Sequence, residues 1–261
     1  MKNTKKDTSW DEQAKWYDKI VGEDGSYYHK ELIVPTLLQE LGDVKNKKIL
    51  DLGSGQGFFC RILSQRGANV IGVDLSKNLI QLARKYPSKN IQYYVGNAEN
   101  LSFLNSNEFD YIVSILSLGN MKNIDKVFNE VYRLLKPNGK FYFIIIHPCF
   151  RIPRQSHWEF DENKKNQYRR IDMYMSELDI PIITHPGKIK EKNKLTDQDY
   201  TIMFHRPLSK IFEYLKKNNL LVSNLLELCS NKISIGKRAK AENRARKEFP
   251  LFLLIEAIKL I

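Results

Sequence analysis

The sequence predicts an α/β fold: a doubly wound, mostly parallel seven-stranded sheet with an antiparallel last strand, N-terminal helices and an insertion after the fifth strand. Three observations predict it. Short β-branched or aromatic runs alternate with stretches of helical periodicity from about residue 47 onward. Most of the runs are nearly free of polar residues, as strands covered on both faces are. Each stretch between them is long enough for a crossover helix, which parallel neighbours require.

The elements follow in order. Before the first strand, "SWDEQAKWYDKIV" and "YYHKELIVPTLLQELG" read as two helices of a cap over residues 1–42. The strands are "KKILDL" (47–52), "NVIGVD" (69–74), "IQYYV" (91–95), "FDYIVSI" (109–115) and "KFYFIII" (140–146). Helices are expected over Phe58–Arg66, Lys77–Lys85 and 124–136, the last with apolar residues at helical spacing and closed by the turn "KPNGK". Residues 148–206 break the alternation. They are polar and dotted with aromatics, and their length exceeds what a connection needs, so a lid or binding element is expected. A helix (208–218), a strand (220–228), a basic segment (231–247) and a last strand near 250–258 complete a single domain over 1–261.

With 261 residues and 42% hydrophobic content the chain can bury one good core. Cys60, Cys149 and Cys229 have no paired spacing, so neither a disulfide framework nor a metal site is expected, and a reducing, cytoplasmic setting fits. The run "FPLFLLIEAIKLI" is too short to span a bilayer and holds Glu256 and Lys259, so no membrane partner is expected. The net charge of +12 keeps nucleic acid open. Its densest part, with Lys237, Arg238, Lys240, Arg244 and Arg246, reads first as a solvated loop or helix face.

The most informative stretch is "KILDLGSGQGFFCRIL", with Gly53, Gly55 and Gly57 at alternate positions between a strand and a helix. Ligands of open parallel sheets bind at the strands' carboxyl ends, and a glycine loop there lets them touch main chain beside free helix N–H groups. A dinucleotide fingerprint would need a glycine at position 58, which is Phe58. Asp74 ends the second strand and offers two acceptor oxygens, enough for a pair of neighbouring ligand hydroxyls. Capping of the following helix falls to Ser76.

The alternating-glycine loop, with Asp51 before it, resembles motif I of the S-adenosylmethionine-dependent methyltransferases of Rossmann-like fold, small-molecule type. "VIGVDLSKNLI", "YYVGNAENLSF", "FDYIVSILSL" and "EVYRLLKPNGKFYFIIIHP" resemble further motifs of that family in order, over roughly residues 10 to 148. The resemblance implies S-adenosylmethionine as cofactor. It assigns cofactor contacts to Asp51, Gly53, Ser54 and Gly55, to Asp74 and Leu75, to Asn97, Ala98 and Glu99 beside the base, and, by main chain, to Ser114 and Ile115 beside the methionine part. Asn97 stands where the family usually has aspartate. Tyr17 and Tyr28 are the residues expected to close over the sulfonium, where a cation gains from an aromatic face, whereas Trp10 and Trp16 read as packing staples.

Methyl transfer is an in-line displacement, so alignment and exclusion of water matter most, with a base needed only if the acceptor arrives protonated. His147, the first polar residue after the fifth strand, is the expected base or orienting group, against the alternative of a strand-end histidine bonded to backbone. Cys149 reads as a small buried residue, and "LSLGN" after the fourth strand lacks the Asn-Pro-Pro-aromatic motif of adenine-N6 enzymes. His157, Trp158, Tyr168, Tyr174, His205 and Arg206 are the insertion residues from which an acceptor pocket would draw. Transfer to O or N of a small molecule is the leading reading. An RNA methyltransferase and a non-catalytic cofactor-binding protein are the alternatives, and the oligomeric state is open.

Overall fold

The computed structural model describes residues 10–86, 88–183 and 199–260. Five parallel strands form the centre: β1 (Lys48–Leu52), β2 (Asn69–Asp74), β3 (Ile91–Val95), β4 (Phe109–Ile115) and β5 (Leu135–Ile146). Two more strands, β10 (Leu220–Leu228) and β11 (Phe252–Lys259), complete a sheet of order β10-β11-β5-β4-β1-β2-β3. β11 is antiparallel to both its neighbours, so the last strand of the chain wedges between β5 and β10. Strand order therefore reverses between β1 and β4, and the crevice at that switch point is where a ligand site is expected.

Helices cover both faces because the central strands are apolar on both. One face is closed by α5 (Ile124–Leu134) and α6 (Leu208–Lys217), whose Val127, Phe128, Val131 and Leu215 pack on Phe141, Phe143 and Leu253. The other is closed by α2 (Val34–Leu41), α3 (Phe58–Gln65) and α4 (Lys77–Ala83), with Leu37, Phe59, Leu63 and Ile80 against Ile49, Val113 and Ile144. Ahead of them lie α1 (Ala14–Val21) and a π-helical turn, His29–Ile33, that runs into α2. Ser76 caps α4, its hydroxyl accepting from Leu79 N at 3.1 Å, as expected of a serine at that position. β5 begins directly after α5, so the expected "KPNGK" turn is absorbed into its first residues, with Asn138 left-handed.

The segment after β5 is more regular than its composition suggests. It forms two antiparallel hairpins, β6 (Ser156–Asp161) with β7 (Asn166–Ile171) and β8 (Leu178–Ile183) with β9 (Tyr200–His205), while residues 184–198 lie outside the described part. These strands mix polar and apolar residues and are mostly half-exposed, so they lack the continuous apolar runs that mark the buried sheet. The basic segment near the end contains a short helix, α7 (Ala239–Glu248). Among the described residues no helix is long and apolar enough to cross a membrane.

Candidate functional site

The loop after β1 sets the floor of the site. Gly53, Gly55 and Gly57 all adopt left-handed φ angles, between 57° and 79°, which other residues rarely take. A Cβ on Gly53 would collide with Ser117, and one on Gly57 with Tyr93, so close packing removes side chains there as well. The loop is held to the end of β2 by main chain, Gly53 N and Ser54 N donating to Val73 O at 2.8 and 3.1 Å. Gly55 N donates to Asp74 Oδ2 at 2.8 Å, and Ser76 N to Asp74 Oδ1 at 2.8 Å. Each oxygen of that carboxylate keeps a lone pair for a ligand hydroxyl. Burial pushes the Asp74 carboxyl above its usual range, opposed by the two N–H donors, so a ligand that donates to it favours the ionised form.

A cleft of about 300 Å³ opens along the carboxyl ends of the strands. Gly53, Gly55, Asp74, Leu75, Asn97, Ala98, Glu99, Ile115 and Tyr17 line it, so the structure brings together nine of the positions read from the sequence. Tyr17 lies over the loop, its ring 3.3 Å from where a Gly55 Cβ would be, and is braced edge-on by Trp10 at 5.5 Å. Trp10 also lines the cleft and is more than a packing staple. Asn97 spends one amide-oxygen lone pair on Glu99 N (2.9 Å), and Glu99 grips Asn123 through N and Nδ2 at 3.0 and 2.8 Å. The floor, the acidic end of β2 and the apolar wall fit a nucleoside carrying an amino-acid-like tail. The Ser54 hydroxyl, buried and without a hydrogen-bond partner, adds an unmet polar group at the same loop.

Other expected positions lie elsewhere. Tyr28 points away from the cleft: its hydroxyl meets Ser230 Oγ at 3.2 Å and its ring packs on Phe252. The Ser114 side chain is fully buried behind the wall and bonds Ser117 Oγ at 2.6 Å, which leaves Ser114 only the main-chain approach expected of it, and Ser117 is the hydroxyl that lines the cleft. Asp51 is buried beneath the loop, where Cys60 Sγ donates to it at 3.2 Å. Desolvation raises its carboxyl to about 7. The side chains of Asp51 and Ser114 face the core, whereas Tyr28 packs on β11 and the segment after β10.

The three histidines buried among the described residues differ in what their partners leave free. His147 is 1% exposed and spends both nitrogens: Cys149 N donates to Nδ1 at 3.3 Å, and Nε2 donates to Glu227 at 2.8 Å. It does not line the cleft. The expectation that it serves the acceptor is corrected to a strand-end structural histidine, whose charge burial disfavours. His29, in the π-helical turn, lines the cleft and accepts from Ser26 N at Nδ1 (3.1 Å), so its proton is on Nε2. Burial lowers its pKa to about 4, leaving a neutral donor. His205, at the end of β9, donates from Nε2 to Tyr174 O at 2.8 Å, so its Nδ1 keeps the lone pair. Burial and neighbouring Arg206 hold it below its ordinary value and neutral near pH 7.

His205 borders a second, apolar cavity of about 60 Å³, walled by Leu118, Phe128, Phe143, Ile145, Phe204 and Ile211. Leu116, Ile146 and Met203 line both this cavity and the cleft, so the two are adjoining compartments. Leu116 holds a left-handed backbone (φ 54°), a costly conformation for leucine of the kind that concentrates at functional sites. Of the six insertion residues, only His205 and Arg206 reach the cavity. Trp158 is clamped between Arg151 and Arg169 and packs on Phe249, His157 and Tyr168 pair with Glu159, and Tyr174 braces β9 and α6. Met203, Asn120 and Met121 give no sequence signal, because their place in the wall follows from β9 docking beside the end of β4.

Comparison with known proteins agrees with this geometry. A family described as "Methyltransferase domain" matches residues 50–143. Human arsenite methyltransferase is 29% identical over 144 residues, 49% of this chain and 37% of that protein. A ubiquinone biosynthesis O-methyltransferase of Pelagibacter ubique is 32% identical over 129 residues, 48% of this chain and 53% of that one. The chain thus spans about half the length, or less, of these curated relatives. Across nearly its whole length it resembles the crystal structure of an S-adenosylmethionine-dependent methyltransferase from Mesorhizobium loti. That match has a TM-score of 0.68 and 27% identity, and covers 91% of this chain and 100% of the other.

Proposed function

Starting from a chain that carries a Rossmann-like S-adenosylmethionine-dependent methyltransferase domain, we propose that it methylates an oxygen or nitrogen of a small molecule with an apolar body. The observation that supports this reading is the apolar cavity adjoining the cofactor cleft across Leu116, Ile146 and Met203. Bound S-adenosylmethionine supplies an electrophilic methyl on a sulfonium, whose charge vanishes on transfer. The chain's own residues do the rest. Asp74 accepts the ribose hydroxyls, the glycine loop offers main chain, and Tyr17 covers the loop. Leu116, Ile146 and Met203 keep water from the junction, and His205 Nδ1 takes the proton the acceptor loses. Within the single domain, the insertion 148–206 supplies the acceptor side and the helical cap 1–42 the cover over the cofactor.

The relatives named above methylate arsenite and act in ubiquinone biosynthesis, so similarity alone leaves the acceptor open. The three free thiols fit a reducing, cytoplasmic setting. The test is turnover: release of S-adenosylhomocysteine with panels of phenols, carboxylates and amines, set beside unmodified RNA. Turnover on an apolar phenol or amine supports the reading. Turnover on RNA alone would replace it with the nucleic-acid alternative, and cofactor binding without turnover on any class would favour the non-catalytic one.

A further inference from the structure

The segment between β10 and β11 is not used by the chemistry above, yet it leaves from the same edge of the sheet. Leu228 pairs with Phe252, which in turn pairs with Ile146, so residues 229–251 emerge beside the strand end that lines the cleft. Within it Ile233 and Ile235 are 82% and 96% exposed, the most exposed large apolar residues described. They are displayed by a pinned backbone. Ser234 between them is tied to α7 at three points: its N donates to Asn243 Oδ1 (2.7 Å), its carbonyl accepts from Asn243 Nδ2 (3.2 Å), and its hydroxyl accepts from Arg246 (2.6 Å). Because the middle residue faces α7, both neighbours must face out.

The surroundings are cationic. Between residues 230 and 248 the sequence has seven Lys or Arg against two Glu. Lys232, Lys237, Arg238, Lys240, Arg244 and Lys247 are exposed, and Lys232 lies 4.5 Å above the half-exposed ring of Tyr27. Among the described residues, the only acidic partner an exposed one of these cations finds outside the segment is Glu162, bonded to Arg238.

We propose that this face docks on an anionic lipid surface, with Ile233 and Ile235 inserted among the acyl chains, Tyr27 at headgroup level and the cations on the lipid phosphates. Apolar tips ringed by Lys and Arg match a surface that is negative outside and oily within. A nucleic acid would use the charge but gain nothing from isoleucine, and a second copy would set like charge against like. No membrane partner was expected because no run is long and apolar enough to span a bilayer, and peripheral docking needs none. Such docking would bring the mouth of the cleft to the bilayer, and it stands whether or not the acceptor assignment does.

The test uses the full chain with vesicles of phosphatidylcholine alone or mixed with about one-third phosphatidylglycerol, a strongly anionic composition. Sedimentation with the anionic vesicles only is expected. The Ile233→Ser/Ile235→Ser double variant should lose roughly tenfold in vesicle affinity, as should Lys237→Glu/Lys240→Glu, with S-adenosylhomocysteine affinity unchanged in both. Absence of vesicle binding overturns the proposal, and so does binding that the isoleucine variant leaves intact. Tight RNA binding at physiological salt, insensitive to the isoleucines, would assign the face to nucleic acid instead.

Discussion

The two ends of the site are built in different ways. At the cofactor end, the loop at Gly53–Gly57, Asp74, and the turn at Gly96–Glu99 all follow directly from the ends of adjacent parallel strands, and main chain makes much of the surface. At the proposed acceptor end, Leu116, Phe128, Ile146, Met203, His205 and Ile211 come from the residue after β4 and from α5, β5, β9 and α6, and side-chain volume makes the surface. Ligand affinity at the first end should therefore depend on backbone shape and one carboxylate. At the second it should depend on how well packed side chains leave space, and on one unspent nitrogen.

The sharpest way to break this comparison is at the histidines. His205→Gln keeps a donor but removes the lone pair at Nδ1, so kcat on a protonated acceptor should fall on the order of 100-fold, the low end for general base catalysis. In the wild type, kcat should rise with pH along a limb lying below the ordinary imidazole value and then level off, because burial lowers the His205 pKa. His147→Gln should leave kcat and that limb in place and lower only the unfolding midpoint. An equal kcat loss in both variants would erase the distinction drawn between them.

At the cofactor end, Asp74→Ala should weaken S-adenosylhomocysteine binding by about 1–3 kcal/mol, or roughly 5- to 150-fold, in a protein that still folds. Calorimetric titration measures it, and unchanged affinity would remove Asp74 from the site. Smaller and opposite in kind is Gly119→Leu. Gly119 lines the apolar cavity, its φ is not left-handed, and an added Cβ meets only Met203 Cγ, at 3.6 Å. The leucine should fill the cavity and raise acceptor KM about tenfold, within the range for lost pocket volume, with cofactor affinity unchanged.

The smallest expected effect tests the buried floor. Asp51 titrates near 7 when folded against an ordinary 3.8, so between those values the folded protein holds a proton that the unfolded chain has lost. Stability should therefore fall as pH rises through that window. Asp51→Asn should flatten the dependence, and urea unfolding of both proteins at pH 5 and pH 8 gives the comparison. A wild-type stability that rises from pH 5 to 8 would mean that Asp51 is ionised in the fold.

Much of the fold was legible from local pattern. Buried parallel strands must be apolar on both faces, so β1, β2 and β4 are visible as apolar runs, and the edge strands β3 and β10 as β-branched, aromatic or leucine-rich ones, all with ends within a residue of those observed. β6 to β9 were not legible, because half-exposed hairpin strands carry no such run. The cofactor end was legible for the same local reason. A left-handed, tightly packed loop admits only glycine, and an acceptor at a strand's end must be a short acidic side chain, so Gly53, Gly55 and Asp74 mark themselves.

What the sequence by itself determined is what a few consecutive residues can enforce: the alternation of strand and helix, the conformations of the glycine loop and the carboxylate at the end of β2. What only the tertiary structure decided is which side chains share a space. Tyr28 and Tyr17 look alike in the chain, yet one packs on Phe252 and the other covers the loop. His147 directly follows Ile146, which lines the cleft, yet its nitrogens are spent, and the free one belongs to His205, 58 positions away and delivered by β9. The insertion of β11 between β5 and β10 likewise depends on long-range pairing, which brings the basic segment to the ligand edge. Long-range contacts are set by the packing of whole elements, and no window of adjacent residues contains that information.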